Sequence, residues 1–480
     1  MCLRFRAAHA LFLVGITAPG CRGSAVQADV TPLSAEFDPD AICALPGYRS
    51  GMVNEPVFGG QAFVMEAGPT DAPTVVLVHG LGENGARDFY PLLPSLASVY
   101  HVVTFDLPGF GRSTHGHELY SPERYVEFIH AVVGQRCRGP FNLVGHSMGG
   151  ALALLYAASF PTDVSRLLLV DVAGILHQKA YANFALFAGL ESVLGFLGEV
   201  GKQALRAGME KASQETQPLQ PLLPGAPDLR ILLQNDLLRA TLLDRPDRIA
   251  ALALILDNFG PAIAQVRAPT WILWGRHDAI ASQRTGLVLQ ARLPHAQFYV
   301  LEASGHDPML SEPAAMSQFM LRWLGTPIDH LALPAAPPPL APSARAGRCA
   351  SENGMRFSGD YSEIEIVGCH DVRLKDVRAA AIRVRNSEVV IEDTRVSAAE
   401  TALQVVGSQV EMTACDLSGT VALDSEGSKV DLAGVNLLGR RAGVHVSGSS
   451  QIIFSVCRLD SPINHRYLHD AMELNLGAEL

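Results

Sequence analysis

Beyond a polar stretch that runs to about Glu55, short apolar runs alternate with segments of helical spacing. The runs at Val75–Val78, Val102–Phe105, Asn142–Val144, Leu167–Val170, Trp271–Trp274 and Phe298–Val300 are β-branched or continuously apolar. That is how strands read when both faces of a parallel sheet are covered. Helical periodicity falls between them, at Pro122–Val133, Met148–Ser159 and Pro313–Leu324. Strand and helix in alternation predict a doubly wound α/β fold over residues 56–326. Residues 175–262 break the rhythm with Leu- and Ala-rich, mostly helical sequence, as an inserted cap does.

The pattern then changes. Leu331–Ser343 (LALPAAPPPLAPS) is a Pro/Ala spacer that favours extended polyproline II, so residues 327–348 read as a linker. From residue 349 to residue 480 the period becomes 2 and a repeat appears: AIRVRNSEVVIEDTRV, ALQVVGSQVEMTACDL, ALDSEGSKVDLAGVNL and GVHVSGSSQIIFSVCRL. Val396, Leu417, Leu437 and Leu459 recur at intervals of 21, 20 and 22 residues. Repeats near 20 residues, built of strands without helices, predict stacked coils. The expected all-β domain is a right-handed parallel β-helix-like stack, with an antiparallel sandwich as the alternative.

Composition narrows the function. The 480 residues carry a net charge of −11, with 37 Lys plus Arg against 48 Asp plus Glu. There is no basic surplus to neutralise phosphates, so nucleic acid is excluded as a partner class. Apolar residues make up 48%, enough for sizeable cores. Residues 1–20 read as a signal peptide: Arg4 and Arg6, then the short apolar run ALFLVGIT. Cys21 follows in a degenerate lipoprotein box, which would anchor the chain to a membrane by lipid. Cleavage near Val26-Gln27-Ala28 and free secretion is the competing reading, and an unprocessed cytosolic start is the third. Either export route places the protein in a bacterial cell envelope or outside the cell. Residues 21–55 then form an N-terminal linker. The eight cysteines show no zinc spacing. In an oxidising compartment Cys349 with Cys369, and Cys43 with Cys137, are candidate pairs.

The candidate chemistry centres on Gly145-His146-Ser147-Met148-Gly149, which matches G-x-S-x-G. It follows the strand FNLV and opens the helix MGGALALLYAAS, the placement a nucleophile elbow needs. Such a turn lifts a serine hydroxyl out of the sheet and aims helix N–H groups at developing negative charge. An oxyanion needs two donors. The amide of Met148 is one candidate, and that of Leu81, in His79-Gly80-Leu81-Gly82 after the strand VVLV, is the other. A neutral imidazole must accept the serine proton, and an acid must hold its tautomer. His306 lies on the loop after one late strand and Asp278 on the loop after the strand before it. The order Ser147, Asp278, His306 suits this triad. Asp171, ending the strand LLLV, is the alternative acid.

Taken together, HGLGE, FDLPGFGRS (Phe105–Ser113), GHSMGG, WGRHD and SGHDP resemble the α/β-hydrolase superfamily, in its capped esterase/lipase-like branch. The resemblance covers more than half of the chain. It implies catalysis by Ser147, His306 and Asp278, an oxyanion hole at Leu81 and Met148, and neither metal nor cofactor. The loop from Asp106 to Ser113 would be structural. A serine at 147 speaks against branches that use an aspartate nucleophile. It leaves esterases, lipases, amide-bond hydrolases and carbon–carbon bond hydrolases open. The chain departs from the usual pattern in having Ala279-Ile280-Ala281 after the acid, where a proline is common. Gly80, His146, Phe184 and Phe187 are candidate substrate contacts, and Tyr181, Phe196, Leu232 and Leu233 add to an apolar cap that suits an acyl or aromatic group. The expected substrate is a small acyl ester. The C-terminal repeats suggest a second class of function, a surface module that binds polysaccharide or serves as an adhesin or stalk. Asp376, Asp393 and Asp416 recur near its turns and read as solvated turn acids.

Overall fold

The computed structural model describes residues 42, 46–180, 230–293, 295–327 and 345–480. The signal segment with Cys21, the cap residues Tyr181, Phe184, Phe187 and Phe196, the Pro/Ala spacer and Cys43 lie outside the described residues.

An eight-stranded sheet forms the first layer system, in the order β1-β2-β4-β3-β5-β6-β7-β8. Its strands are β1 (Tyr48–Asn54), β2 (Gln61–Ala67), β3 (Thr74–Val78), β4 (His101–Phe105), β5 (Phe141–His146), β6 (Val164–Val170), β7 (Thr270–Gly275) and β8 (Gln297–Leu301). From β3 onward every pairing is parallel, while β1 and β2 join antiparallel at one edge. Strand residues alternate between two cores. Val76 and Val78 pack on one face with Leu152 and Ile129, and Val75 and Leu77 on the other with Phe89 and Met320. This double burial is why the runs read as continuously apolar. The helices that cover the sheet include α1 (Pro122–Arg136), α2 (Met148–Ser159), α3 (Gln283–Arg292) and α4 (Pro313–Gly325).

The described parts of the expected cap are residues 175–180 and 230–262. They include the helix Pro246–Ile255, whose Ile249, Leu252 and Leu254 join the core. Leu233 is buried and Leu232 packs against the same cluster.

The apolar runs above mark neither β1 nor β2: Tyr48–Asn54 is an edge strand whose side chains are mostly exposed, and so it has no apolar signature, while the buried Ala62–Met65 of β2 falls outside those runs. The turn that follows is tied by Glu55, whose carboxylate accepts the N–H groups of Val57, Phe58 and Gly60 at 2.8–2.9 Å.

Residues 345–480 form a second, 16-stranded sheet that is all β. Its ladders are parallel and advance by one repeat per rung. Val396 pairs with Ala379 behind it in the ladder and with Leu417 ahead, Leu417 with Leu437, and Leu437 with Leu459. A second ladder runs Val389, Val410, Val430, Ile452. Parallel rungs exclude the antiparallel sandwich. Inside the stack a file of serines replaces apolar residues: Ser387 N–H donates to Ser408 Oγ, Ser408 N–H to Ser428 Oγ and Ser428 N–H to Ser450 Oγ. Each of the first three hydroxyls in turn donates to the carbonyl two residues before it, so the buried polar atoms are satisfied. Cys349 and Cys369 form a disulfide between early rungs. Antiparallel strands Asn464–Leu468, Ala471–Leu474 and Ala478–Glu479 close the far end.

The rungs dock on the hydrolase-like part through α3. Arg284 donates to Thr413 Oγ1 and the Met412 carbonyl, both at 2.8 Å, and to Asp431 Oδ1 at 3.0 Å. Arg292 donates to the carbonyls of Gly434 and Cys415 and to Asp416 Oδ1 at 2.7–2.8 Å. Ala433, Ile453 and Val456 complete the contact as members of the α/β core cluster.

Candidate active site

The open sheet reverses its order at β3, and α/β sheets build sites outside the carboxyl ends of strands near such a reversal. β5 ends there, and Ser147 takes φ 54° and ψ −121° between it and α2. For a residue with a side chain this backbone is strained, and it persists because packing on both sides fixes it. The packing leaves no room for substitution at Gly149: a Cβ there would stand 2.3 Å from the Val78 carbonyl oxygen.

The bonds run in a line. Ser147 Oγ lies 3.0 Å from His306 Nε2, and His306 Nδ1 lies 2.9 Å from Asp278 Oδ2. The Asp278 side chain is fully buried, and its Oδ1 accepts the N–H groups of Ile280 and Ala281 at 2.7 and 2.8 Å. The Ala279-Ile280-Ala281 stretch therefore supplies the backbone donors that hold the acid. With Asp278 accepting, His306 carries its proton on Nδ1 and offers Nε2 to the serine hydroxyl. The two loops are laced together, since His277 N–H donates to the Ser304 carbonyl at 2.9 Å. Asp171, the alternative acid, is buried at the end of β6 and accepts the Gly275 N–H at 2.8 Å; the carboxylate bonded to His306 is Asp278.

The loop after β3 lies directly against the serine. A Cβ on Gly80 would stand 2.9 Å from Ser147 Cβ, so this backbone comes as close as a glycine allows. Leu81 follows Gly80 in the chain, and Met148 follows the serine. His79 fixes the loop. It is wholly buried, its Nδ1 donates to the Gly80 carbonyl at 2.7 Å, and its Nε2 accepts the Leu107 N–H at 2.9 Å. Both bonds require the neutral ring, and burial pushes its pKa below the usual value. Asp106 binds the neighbouring turns, accepting from Ala86 and Arg112 N–H groups at 2.7 Å, as a structural loop would.

His146 is buried. Its Nε2 donates to the His306 carbonyl at 2.8 Å, and it stands 3.6 Å from Asp307 Oδ1. Burial first, and His306 second, hold its pKa down to about 3. It therefore braces the imidazole loop as a neutral ring. Phe184 and Phe187, the other candidate contacts besides Gly80, lie outside the described residues. Asp88 was missed in the sequence. Buried behind Gly82 and bonded to Asn84 Nδ2 at 3.0 Å, it has its pKa pushed up to about 6 by burial. His79 carried one signal, its position directly before the Gly80-Leu81 loop. Asp88 carried none. Among the described residues no cluster of His, Cys, Asp and Glu could hold a metal.

Residues 73–313, half of the chain, match the family described as the alpha/beta hydrolase fold. Lipase 1 of Psychrobacter immobilis is 27% identical over 255 residues, covering 52% of this chain and 77% of that protein. Monoacylglycerol lipase abhd6-B of Xenopus laevis is 29% identical over 271 residues, covering 54% of this chain and 77% of that protein. A 2-hydroxy-6-oxononadienedioate/2-hydroxy-6-oxononatrienedioate hydrolase of Cupriavidus pinatubonensis is 27% identical over 262 residues, covering 53% of this chain and 87% of that protein. Fold, residues 73–313 and lipase- and esterase-like relatives agree: the chain is a hydrolase and belongs to the α/β-hydrolase fold family.

Proposed function

We propose that the protein hydrolyses carboxylic esters through an acyl-enzyme on Ser147. The observation that carries this reading is the unbroken line from Ser147 Oγ through His306 to a buried, doubly capped Asp278. In the proposed reaction Ser147 Oγ attacks the ester carbonyl while His306 Nε2 takes its proton. The carbonyl π electrons move onto oxygen, which the amides of Leu81 and Met148 stabilise. The tetrahedral intermediate collapses, the C–O bond to the alcohol breaks, and His306 protonates the departing oxygen. Water, deprotonated by His306, then repeats the sequence on the acyl-enzyme and returns free Ser147 and a carboxylic acid. Asp278 remains ionised and steadies the imidazolium.

Two relatives are named as lipases, and this favours esters over other bonds. The second reading, hydrolysis of a carbon–carbon bond by the same groups, draws on the Cupriavidus relative. A fluorophosphonate probe should label Ser147, and Ser147→Ala should abolish labelling and lower ester turnover by about 10⁴-fold or more, because the three groups act as a unit. Undiminished turnover in that variant would falsify the assignment. An ester panel of graded acyl length, run beside a vinylogous 1,5-diketone, separates the two readings. The proposal extends to export and lipid attachment at Cys21, which rests on residues 1–21 alone. Mass spectrometry of the mature N-terminus tests it: an intact Met1 would sink both export routes.

A further inference from the structure

Asp171 is a buried carboxyl group that the proposed reaction does not use. It is 0% exposed, and it sits at the end of β6 with φ 46°, a conformation few residues other than glycine adopt. Its Oδ1 accepts the Gly275 N–H at 2.8 Å. Its Oδ2 is also buried and meets no N–H or hydroxyl donor. The Asp278 side chain lies within hydrogen-bonding reach, and the charges that act on Asp171 are those of Asp278 and, more weakly, Asp307, both acids.

Two carboxylates in one buried place do not both stay ionised. Asp278 is the one served as an anion, with two backbone donors and the His306 Nδ1–H. Asp171 has a single donor. Burial first, and then the charge on Asp278, raise the Asp171 pKa well above the usual carboxyl value. An oxygen with no donor, facing an anion, is the atom on which the proton belongs.

We propose that Asp171 is an un-ionised carboxylic acid whose Oδ2–H is donated to Asp278, making it a positioning residue for the line Ser147–His306–Asp278; this rests on the reading of those three as the reacting groups. The hydrogen bond fixes the carboxylate of Asp278 opposite His306 Nδ1. It also leaves one negative charge behind the imidazole instead of two.

The test uses the full chain carrying Asp171→Asn, Asp171→Ala, Asp278→Asn and the double variant Asp171→Asn/Asp278→Asn. Each is checked for folding by its urea midpoint. Two readouts are taken: kcat and KM on a soluble ester, and the His306 titration midpoint by histidine NMR, with the signal assigned by comparison with His306→Asn. The asparagine amide keeps an acceptor for Gly275 and a donor for Asp278, so Asp171→Asn is expected to hold kcat within about threefold. It should also leave the His306 midpoint unmoved, since a neutral group replaces a neutral group. Asp171→Ala should lose roughly tenfold or more in kcat with KM little changed, the scale of a hydrogen bond to a charged group. A downward move of the midpoint by about one unit or more in Asp171→Asn would show that a charge had been removed, and would overturn the proposal. So would equal losses in the Asn and Ala variants, or wild-type kcat in Asp171→Ala. Activity that survives Asp278→Asn and vanishes in the double variant would make Asp171 the triad acid itself, which also overturns it. Should the wild-type chain turn over no ester, the function reading fails while the NMR arm still decides the state of Asp171.

Discussion

His79 gives the sharpest link between one side chain and the rate. A peptide unit is planar and trans, so the Gly80 carbonyl and the Leu81 N–H point to opposite sides of one rigid plate. The imidazole grips that plate by its oxygen at 2.7 Å and is itself held by the Leu107 N–H at 2.9 Å. It thereby sets the direction of the Leu81 N–H, one of the two proposed oxyanion donors. His79→Ala frees the plate without deleting the donor. Losing such a donor outright costs about 10²–10³ in kcat, so a loosened one is expected to cost about 10–100-fold. KM should change little, because the lost interaction belongs to the transition state. The same variant strands the Gly80 carbonyl and the Leu107 N–H in a dry interior, at roughly 1–3 kcal/mol each. His79→Asn is the control: its amide nitrogen comes near the position of Nδ1 and restores the bond to Gly80, so most of kcat should return while the Leu107 bond stays broken. Steady-state ester kinetics beside urea unfolding of each variant make the measurement. A folded His79→Ala protein with kcat within about twofold of wild type would refute the reasoning, as would a His79→Asn variant no better than Ala.

Two further outcomes follow from the docking of the rungs. Arg284→Ala removes the cation paired with Asp431, a carboxylate whose side chain is 17% exposed, and strands the Met412 carbonyl. A loss of about 3 kcal/mol is expected, read as a lower urea midpoint, because breaking one side of a buried pair leaves the other uncompensated; a change below about 0.5 kcal/mol would show that Arg284 does not carry the interface. The second outcome concerns pH. His177 and His469 pack ring to ring at 5.2 Å where the cap stem meets the rungs, and each ring accepts a backbone N–H at Nδ1. Burial first holds their pKa values down to about 4 and about 3, with Lys179 and Arg230 adding to the depression at His177 and Asp431 and Asp470 opposing it. A histidine whose folded pKa is depressed binds its proton more readily in the unfolded chain. Its contribution is therefore intact above about pH 6.5 and is lost as the pH falls toward 4. Urea midpoints from pH 7.5 down to 4.5 should decline, and less steeply in His469→Phe; identical slopes in the two proteins would count against this pair.

What could be read in the sequence was whatever leaves a periodic or ordered trace. Strands β3 to β7, buried on both faces, lie where the unbroken apolar runs are, and the half-buried edge strand β8 still shows its Phe298–Val300 run. The repeat spacing gave the rung register itself, since Val396, Leu417, Leu437 and Leu459 stack as partners. Ser147, Asp278 and His306 were singled out because each follows a strand at the same edge of the sheet, and the structure brings the three together.

What could not be read depends on a neighbour far away in the chain. Arg284 and Arg292 look like the solvated charges of an ordinary helix. Only the fold reveals that they end on carbonyls more than 120 residues away. The serine file has the same character, for one serine in a turn is unremarkable and four stacked donors and acceptors form a ladder. His79 and Asp171 are the most instructive cases. Each is a polar residue beside a strand end, where motif logic assigns a chemical role or none. Their roles follow from tautomer and protonation state, which hydrogen-bond partners set. His79 is locked neutral by one acceptor and one donor. Asp171 is placed beside an acid that three donors already hold as an anion. A motif names the atoms that react, while the groups that hold those atoms still become visible only when every buried donor and acceptor is matched to its partner.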